Sequence, residues 1–283
     1  MPFRNDPRLV RPPGEPVAYQ VTAGVAAIRE APVPDGRLGT QALHGEIVDV
    51  FREDGEFGLC QLRRDRYTGW LNMDALSAPV LPVTHKVSAL RTYCFAEPDL
   101  KSAPRFMLCL GARVAATGRM VGDWTECARA GWVHLCHLSE LDRFETDPAG
   151  VAARYIETPY LWGARESLGV DCSGLIQQVF EACGVQLPRD SDMQAAWAGA
   201  PVADWQAPGG LRRGDLVFWE GHVGILEDAG TLIHANAFHL GVAREPLGEA
   251  TMRIRTVAGD VTGVRRVDIA AARGVVPDWL KPD

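Results

Sequence analysis

Nowhere in the 283 residues do eighteen apolar residues run together, so no membrane-spanning helix and no membrane partner are expected. The opening, MPFRNDPRLVRPPGEP, has charges and prolines but no apolar h-region, and so does not read as a secretory signal. Clustered basic residues are missing as well. With 29 Lys and Arg against 36 Asp and Glu, the formal charge is −7, and no nucleic-acid partner is expected. Cysteine pairs at zinc-ligand spacing are absent too: His134, Cys136 and His137 come nearest, and that set is incomplete. No metal or other cofactor is expected. The seven cysteines are odd in number and widely spread, which reads as buried free thiols in a reducing, cytoplasmic compartment.

What is present is ordinary for a globular protein, with 47% apolar and 23% charged residues. The length predicts two or three domains. Residues 1–15 are polar and proline-rich and read as a loose N-terminal arm. From there to about 140 come short apolar runs broken by turn residues, such as EIVDVF, FGLCQL and GWLNMDAL, which read as small strands. A repeat runs through this region. VAAIREAP (25–32) matches VSALRTYC (87–94), and a later stretch aligns Phe57 with Trp124, Cys60 with Cys127, and Gly69-Trp70 with Gly131-Trp132. Two such copies predict two small β-barrels, over 16–80 and 81–142. Their Gly-Trp steps resemble those of tandem bacterial SH3-type domains.

After residue 142 the character changes. GVAARYIETPYLWG and CSGLIQQVFEACGV have helical spacing, with Leu175, Val179 and Cys183 on one face and Gly184 placed to stop the second helix. GDLVFWEGHVGILEDAGTLIHANA then alternates as strands, with turns at Gly214-Asp215, Gly221 and Asp228-Ala229-Gly230. Helices followed by an antiparallel sheet predict an α+β domain over 143–283.

One cysteine of this domain differs from the other six. In Asp171-Cys172-Ser173-Gly174, Cys172 falls in the first turn of its helix. Unpaired backbone N–H groups there can lower a thiol pKa and hold an oxyanion. Gly174 leaves a side chain out of the approach path. A nucleophilic thiol also needs a base. Among the histidines, His222 and His234 alone lie on adjacent predicted strands of the same domain. Antiparallel pairing would set them side by side. His222 is then placed to take the thiol proton, and His234 to orient it through the second ring nitrogen.

The stretches PYLWGARESLGVDCSGLIQQVF, GVQLPRDSDMQA and LRRGDLVFWEGHVGILEDAGTLIHANA together resemble the NlpC family of cell-wall peptidases. The resemblance implies an α+β, papain-like cysteine peptidase domain preceded by two small SH3-like β-barrels. It makes Cys172 the nucleophile, His222 the base and His234 the orienting residue, with Tyr160 beside the thiol at the oxyanion site. The family often has two glycines after the Trp, where this chain has Gly163-Ala164. The added methyl is expected to be tolerated.

Members with SH3-type domains resemble γ-D-glutamyl-L-diamino acid endopeptidases acting on freed murein peptides with a free N-terminal L-alanine. That resemblance implies L-Ala-γ-D-Glu-diamino acid as substrate, with Asp190 meeting its amine and Ser191 beside it. A buried ammonium needs such a carboxylate. Asp171 and Ser173 would add substrate contacts beside the thiol, and Glu46 and Tyr67 of the first barrel would close the far end of the pocket. A recycling enzyme of the cytoplasm agrees with the missing signal. Two other readings stay open. An amidase or acyltransferase on the same core would keep Cys172 and His222 without needing Glu46, Tyr67 and Asp190. A non-catalytic wall-binding protein would rely on the barrels.

Overall fold

A computed structural model describes residue 3 and residues 5–281. The chain divides into two compact units, Phe3–Arg143 and a second from Phe144 onward. Residues 1, 2 and 4 of the expected N-terminal arm, and residues 282 and 283, lie outside the described residues. The remainder of the arm is not loose. Leu9 is buried, its carbonyl accepts from Gln61 Nε2 at 2.9 Å, and Thr68 N–H donates to Arg8 O at 2.8 Å. A single buried leucine and these cross-links strap the arm to the strands that follow.

Those strands are β1 (Val17–Val21), β2 (Val25–Arg29), β3 (Leu38–Leu43), β4 (Ile47–Asp54), β5 (Phe57–Leu62), β6 (Thr68–Asn72) and β7 (Leu76–Ser77). They form one sheet in the order β3-β2-β6-β5-β4-β1-β7, around a core that includes Val21, Ile28, Val48, Cys60, Leu62 and Leu71. Period-two alternation puts these side chains on the inner face.

Eight more strands follow: β8 (His85–Val87), β9 (Arg91–Phe95), β10 (Pro104–Cys109), β11 (Arg113–Val114), β12 (Ala116–Val121), β13 (Trp124–Cys127), β14 (Gly131–His134) and β15 (Leu138–Glu140). These split into a five-stranded sheet, β10-β9-β14-β13-β12, and a three-stranded one, β11-β8-β15, which share a second core. The repeat seen in the sequence returns as register. Cys60 stands opposite Gly69, and Cys127 opposite Gly131. A guanidinium lies over each aligned tryptophan, Arg52 at 5.0 Å from Trp70 and Arg119 at 5.4 Å from Trp132. The earlier alignment does not carry over: Trp70 faces Arg29, whereas Trp132 faces Phe95 and not Arg91.

The second unit contains α1 (Pro148–Ala153), a short hairpin of β16 (Arg165–Glu166) and β17 (Gly169–Val170), α2 (Cys172–Ala182) and α3 (Ser191–Trp197). Next come β18 (Ala200–Pro201), β19 (Leu216–Trp219), β20 (His222–Asp228), β21 (Thr231–Asn236), β22 (Gly241–Pro246), α4 (Leu247–Ala258), β23 (Gly263–Arg266) and α5 (Ile269–Ala272). Six strands make one antiparallel sheet, β18-β23-β19-β20-β21-β22. Helix α2 packs on β20 and β21 through fully buried Leu175, Ile176, Val179 and Phe180. Val217, Trp219, Leu226 and Leu232 form a second cluster with Ala250 and Ile254 of α4.

The helix expected through residue 163 ends at Ala153. Pro159 disfavours helical backbone at Thr158, and Glu157 takes a φ of +70°, so the chain turns out of the helix before Tyr160. The stop of α2 follows the expectation at Gly184, whose φ is +81°, with Val185 N–H reaching back to Phe180 O at 2.9 Å. Among the described residues no helix is long and apolar enough to cross a membrane.

Candidate active site

Asp171 is the N-cap of α2, accepting from Gly174 N–H at 2.7 Å, and this places Cys172 at the first helical position. The cysteine is 7% exposed. Burial, with the Asp171 charge added, pushes its thiol up to about 12, against the backbone N–H groups of Val223 and Ser173 and the charge of Arg189. A helix N-terminus alone would lower it, as the sequence suggested. Here the carboxylate that caps the helix is buried beside the sulfur, and desolvation adds to its effect.

Val223 is the second residue of β20, and His222 is the first. Ile225 pairs with Ile233, so His234 on β21 falls across from Gly224 and diagonal to His222, not beside it. Gly224 keeps that crossing open. A Cβ there would lie 2.7 Å from Leu232 Cδ1 and 3.0 Å from His234 Cβ. The two rings meet edge-on at 5.0 Å between centroids, with His222 Nε2 and His234 Nδ1 2.8 Å apart. Burial, and then the neighbouring His234 and Arg253, drive His222 down to about 3. Burial likewise lowers His234, against the pull of Glu245. The resting site therefore holds a neutral thiol and neutral imidazoles, and the thiol proton must move during attack rather than before it.

The sequence reading missed what lies behind His234. The His234 side chain has no exposure, and its Nε2 sits 2.6 Å from Oε1 of Glu245. Glu245 stands on β22 opposite Leu232, hence on the same sheet face as His234. Arg253 of α4 pairs with the same carboxylate oxygen. Burial alone would raise Glu245, but the hydrogen bonds from His234 and Arg253 overcome it and hold the carboxyl down at about 2. A carboxylate in the strand after His234, at matching alternation, was the signal available.

Arg189 was also missed. It is 1% exposed and grips both oxygens of Asp171, at 3.0 and 2.6 Å, while donating to Ser173 Oγ at 2.9 Å and Ala164 O at 3.3 Å. Asp171 Oδ2 also accepts from Gly163 N–H at 2.8 Å. The side chains of Asp171 and Ser173, expected to meet substrate, are thus turned to Arg189 and the loop that frames the thiol. Gly163 takes the left-handed φ of +78°, while Ala164 after it does not and is fully buried. The extra methyl therefore meets no backbone strain. Gly174 serves packing and not an open approach: a Cβ there would lie 2.2 Å from Ala164 O.

Tyr160 is half-buried and its N–H donates to Leu240 O at 2.9 Å. Burial first, and then the nearby Cys172 and Asp171, push its phenol up, so it stays a neutral donor close to the sulfur. Asp190 occupies the N-cap position of α3 but makes no side-chain capping bond, and Ser191 opens that helix; both are half-buried. Glu46 and Tyr67 belong to the other unit and are buried within it. Glu46 accepts from Leu43 N–H at 3.0 Å and pairs with Arg64 at 3.4 Å, while Tyr67 packs into the first core.

Among the described residues, His234, His239 and Glu245 bring possible metal-ligand atoms within 4.8 Å of one another. Arg253 already neutralises Glu245, so a further cation there would meet a guanidinium. His134 and His137 serve their own unit, His134 accepting from Cys136 N–H and His137 meeting Thr92 Oγ1 at 2.8 Å.

Residues 157–260 match the family model of the NlpC/P60 family, and residues 28–76 match that of the bacterial dipeptidyl-peptidase Sh3 domain. Dipeptidyl-peptidase 6 of Lysinibacillus sphaericus is 32% identical over 111 residues, covering 38% of this chain and 40% of that protein. The γ-D-glutamyl-L-lysine dipeptidyl-peptidase of Bacillus subtilis is 38% identical over 92 residues, 29% of each chain. The matched stretch is thus less than half the length of these curated relatives. A crystal structure of an NlpC/P60 family protein from Bacillus cereus has the same fold, with a TM-score of 0.74 over 88% of this chain and 99% of that one, at 18% identity. The chain therefore carries an NlpC/P60 peptidase domain preceded by a bacterial SH3 domain of the dipeptidyl-peptidase type.

Proposed function

We propose that this chain is a papain-like cysteine endopeptidase that hydrolyses the γ-D-glutamyl–diamino acid bond of murein stem peptides with a free N-terminal L-alanine. The observation that carries the reading is Cys172 at the start of α2, next to the strand on which His222 is bonded to His234. The B. subtilis relative, named for γ-D-glutamyl-L-lysine, supports the substrate class. Recycling of such peptides in the cytoplasm fits this chemistry. The equivalent Cys-to-Gly pairing in β5–β6 and β13–β14 supports reading residues 81–142 as a second SH3-type copy.

In the proposed reaction the Cys172 sulfur attacks the γ-carbonyl of D-glutamate as His222 accepts the thiol proton. The Cys172 backbone N–H and the Tyr160 hydroxyl hold the oxyanion. The C–N bond then breaks, and His222 returns the proton to the departing amine of the diamino acid. Water, deprotonated by His222, cleaves the thioester and releases L-Ala-D-Glu. Asp190 and Ser191 supply the partners for the substrate's ammonium.

Mass spectrometry of L-Ala-γ-D-Glu-diaminopimelate incubated with the chain tests this directly. Release of diaminopimelate and L-Ala-D-Glu is the expected result; intact peptide after prolonged incubation overturns it. N-acetylation of the alanine removes a charge-assisted contact and strands the Asp190 carboxylate. The capped peptide is expected to be cut at least about a hundredfold more slowly, a gap of roughly 2.7 kcal/mol. Equal rates would show that no group reads the free amine.

A further inference from the structure

We propose that Glu245 is a positioning residue of this site: clamped by Arg253, its carboxylate fixes His234 as the Nε2–H tautomer and so leaves Nδ1 of His222 as the base. The proposal rests on the reading above only in taking the two histidines as the site's proton carriers.

The argument is one of donors and acceptors. An ionised carboxylate only accepts hydrogen bonds and a guanidinium only donates them. Glu245 Oε1 receives Arg253 and lies 2.6 Å from His234 Nε2, so that nitrogen must carry the hydrogen. A neutral imidazole has one N–H, so His234 Nδ1 is bare and accepts. His222 Nε2, at 2.8 Å from it, must then be the donor. Only one proton is left unassigned on that ring, and it is already placed; Nδ1 of His222 is the lone-pair nitrogen. Without the carboxylate the chain can reverse. His234 could then donate from Nδ1, and His222 would carry its proton on Nδ1, where it cannot take one from a thiol.

The clamp has its own support. Arg253 lies 4.3 Å over the Phe238 ring, which holds the guanidinium in place against Glu245. His239 Nδ1 is 3.9 Å from the same carboxylate oxygen and hydrogen-bonds Asn236 instead. Cys172 on α2 and Arg253 on α4 complete the titratable and charged groups facing the two rings. As His222 gains a proton during attack, the negative charge of Glu245, relayed through His234, favours the imidazolium over the neutral ring.

Two variants separate the functions of the carboxylate. Glu245→Gln keeps an acceptor oxygen and removes the charge; Glu245→Met removes both at similar volume. In the histidine-¹⁵N-labelled full chain, nitrogen shifts should report Nε2–H on both His222 and His234, and Glu245→Gln should preserve them. Glu245→Met should give mixed tautomers, with kcat down about 30- to 100-fold at nearly unchanged KM. Since a carboxylate favours every protonated form of the pair, its loss in Glu245→Gln should move the pH profile of kcat/KM to lower pH. A merely structural Glu245 would lower thermal stability and leave both the tautomers and the profile unmoved.

The nitrogen shifts and the rate of Cys172 alkylation need no peptide, so they decide this proposal even if murein peptide proves not to be the substrate. Nδ1–H on His234 in the unaltered chain overturns it. If Glu245→Met does not fold, a Glu245→Gln profile that coincides with the unaltered protein overturns it equally.

Discussion

His222→Ala is expected to lower kcat/KM by at least about 10⁴-fold, with the fold intact by circular dichroism. The magnitude follows from the environment of the sulfur. With the thiol pushed up to about 12, the spontaneous thiolate fraction near neutral pH is only about one in 10⁵. Attack therefore depends on a base that removes the proton as the bond forms. His222, neutral because burial drives it down to about 3, is free to accept it. His234→Asn should be far milder, at about tenfold, because an amide oxygen can still accept from His222 Nε2. Alkylation of Cys172 by iodoacetamide should fall in the same order, which separates loss of nucleophile activation from loss of peptide binding. A His222→Ala protein within tenfold of the parent would mean that the thiol is ionised by other groups.

Arg189→Met is expected to lose about 3–5 kcal/mol of stability in urea titration and nearly all activity, even though Arg189 is assigned no step in the chemistry. The guanidinium is the only cation bonded to Asp171, whose two oxygens also hold the N–H groups of Gly163 and Gly174. Removing it strands an ionised carboxylate at 6% exposure, with nothing but backbone donors to hold it. The start of α2 and the loop before it would loosen together, and with them the placement of Cys172. The double variant Arg189→Met with Asp171→Asn should recover part of the loss, since no uncompensated charge remains buried. Additive losses in the double variant, or a single variant within about 1 kcal/mol of the parent, would rule out the pair as the anchor of the loop.

The sequence by itself determined the parts of this site that are set by neighbours along the chain. Asp171 capping Cys172 and Gly184 ending the helix are local backbone requirements, and so they were legible from a few residues. The alternation around His222 and His234 put both on paired strands, although the bulge between Leu226 and Asp228 made them diagonal instead of opposite. Helical spacing misled over residues 154–163, where Pro159 and the left-handed Glu157 override the apolar pattern. Tertiary structure alone decided the rest. Glu245 and Arg253 matter because β22 and α4 return to the face that carries His234, and no spacing in the chain announces that return. Arg189 looked like any surface arginine until folding buried it against Asp171. The ionisation of the thiol was likewise beyond the sequence: the helix N-terminus is a local feature that favours thiolate, but desolvation by the packed unit is stronger and acts the other way.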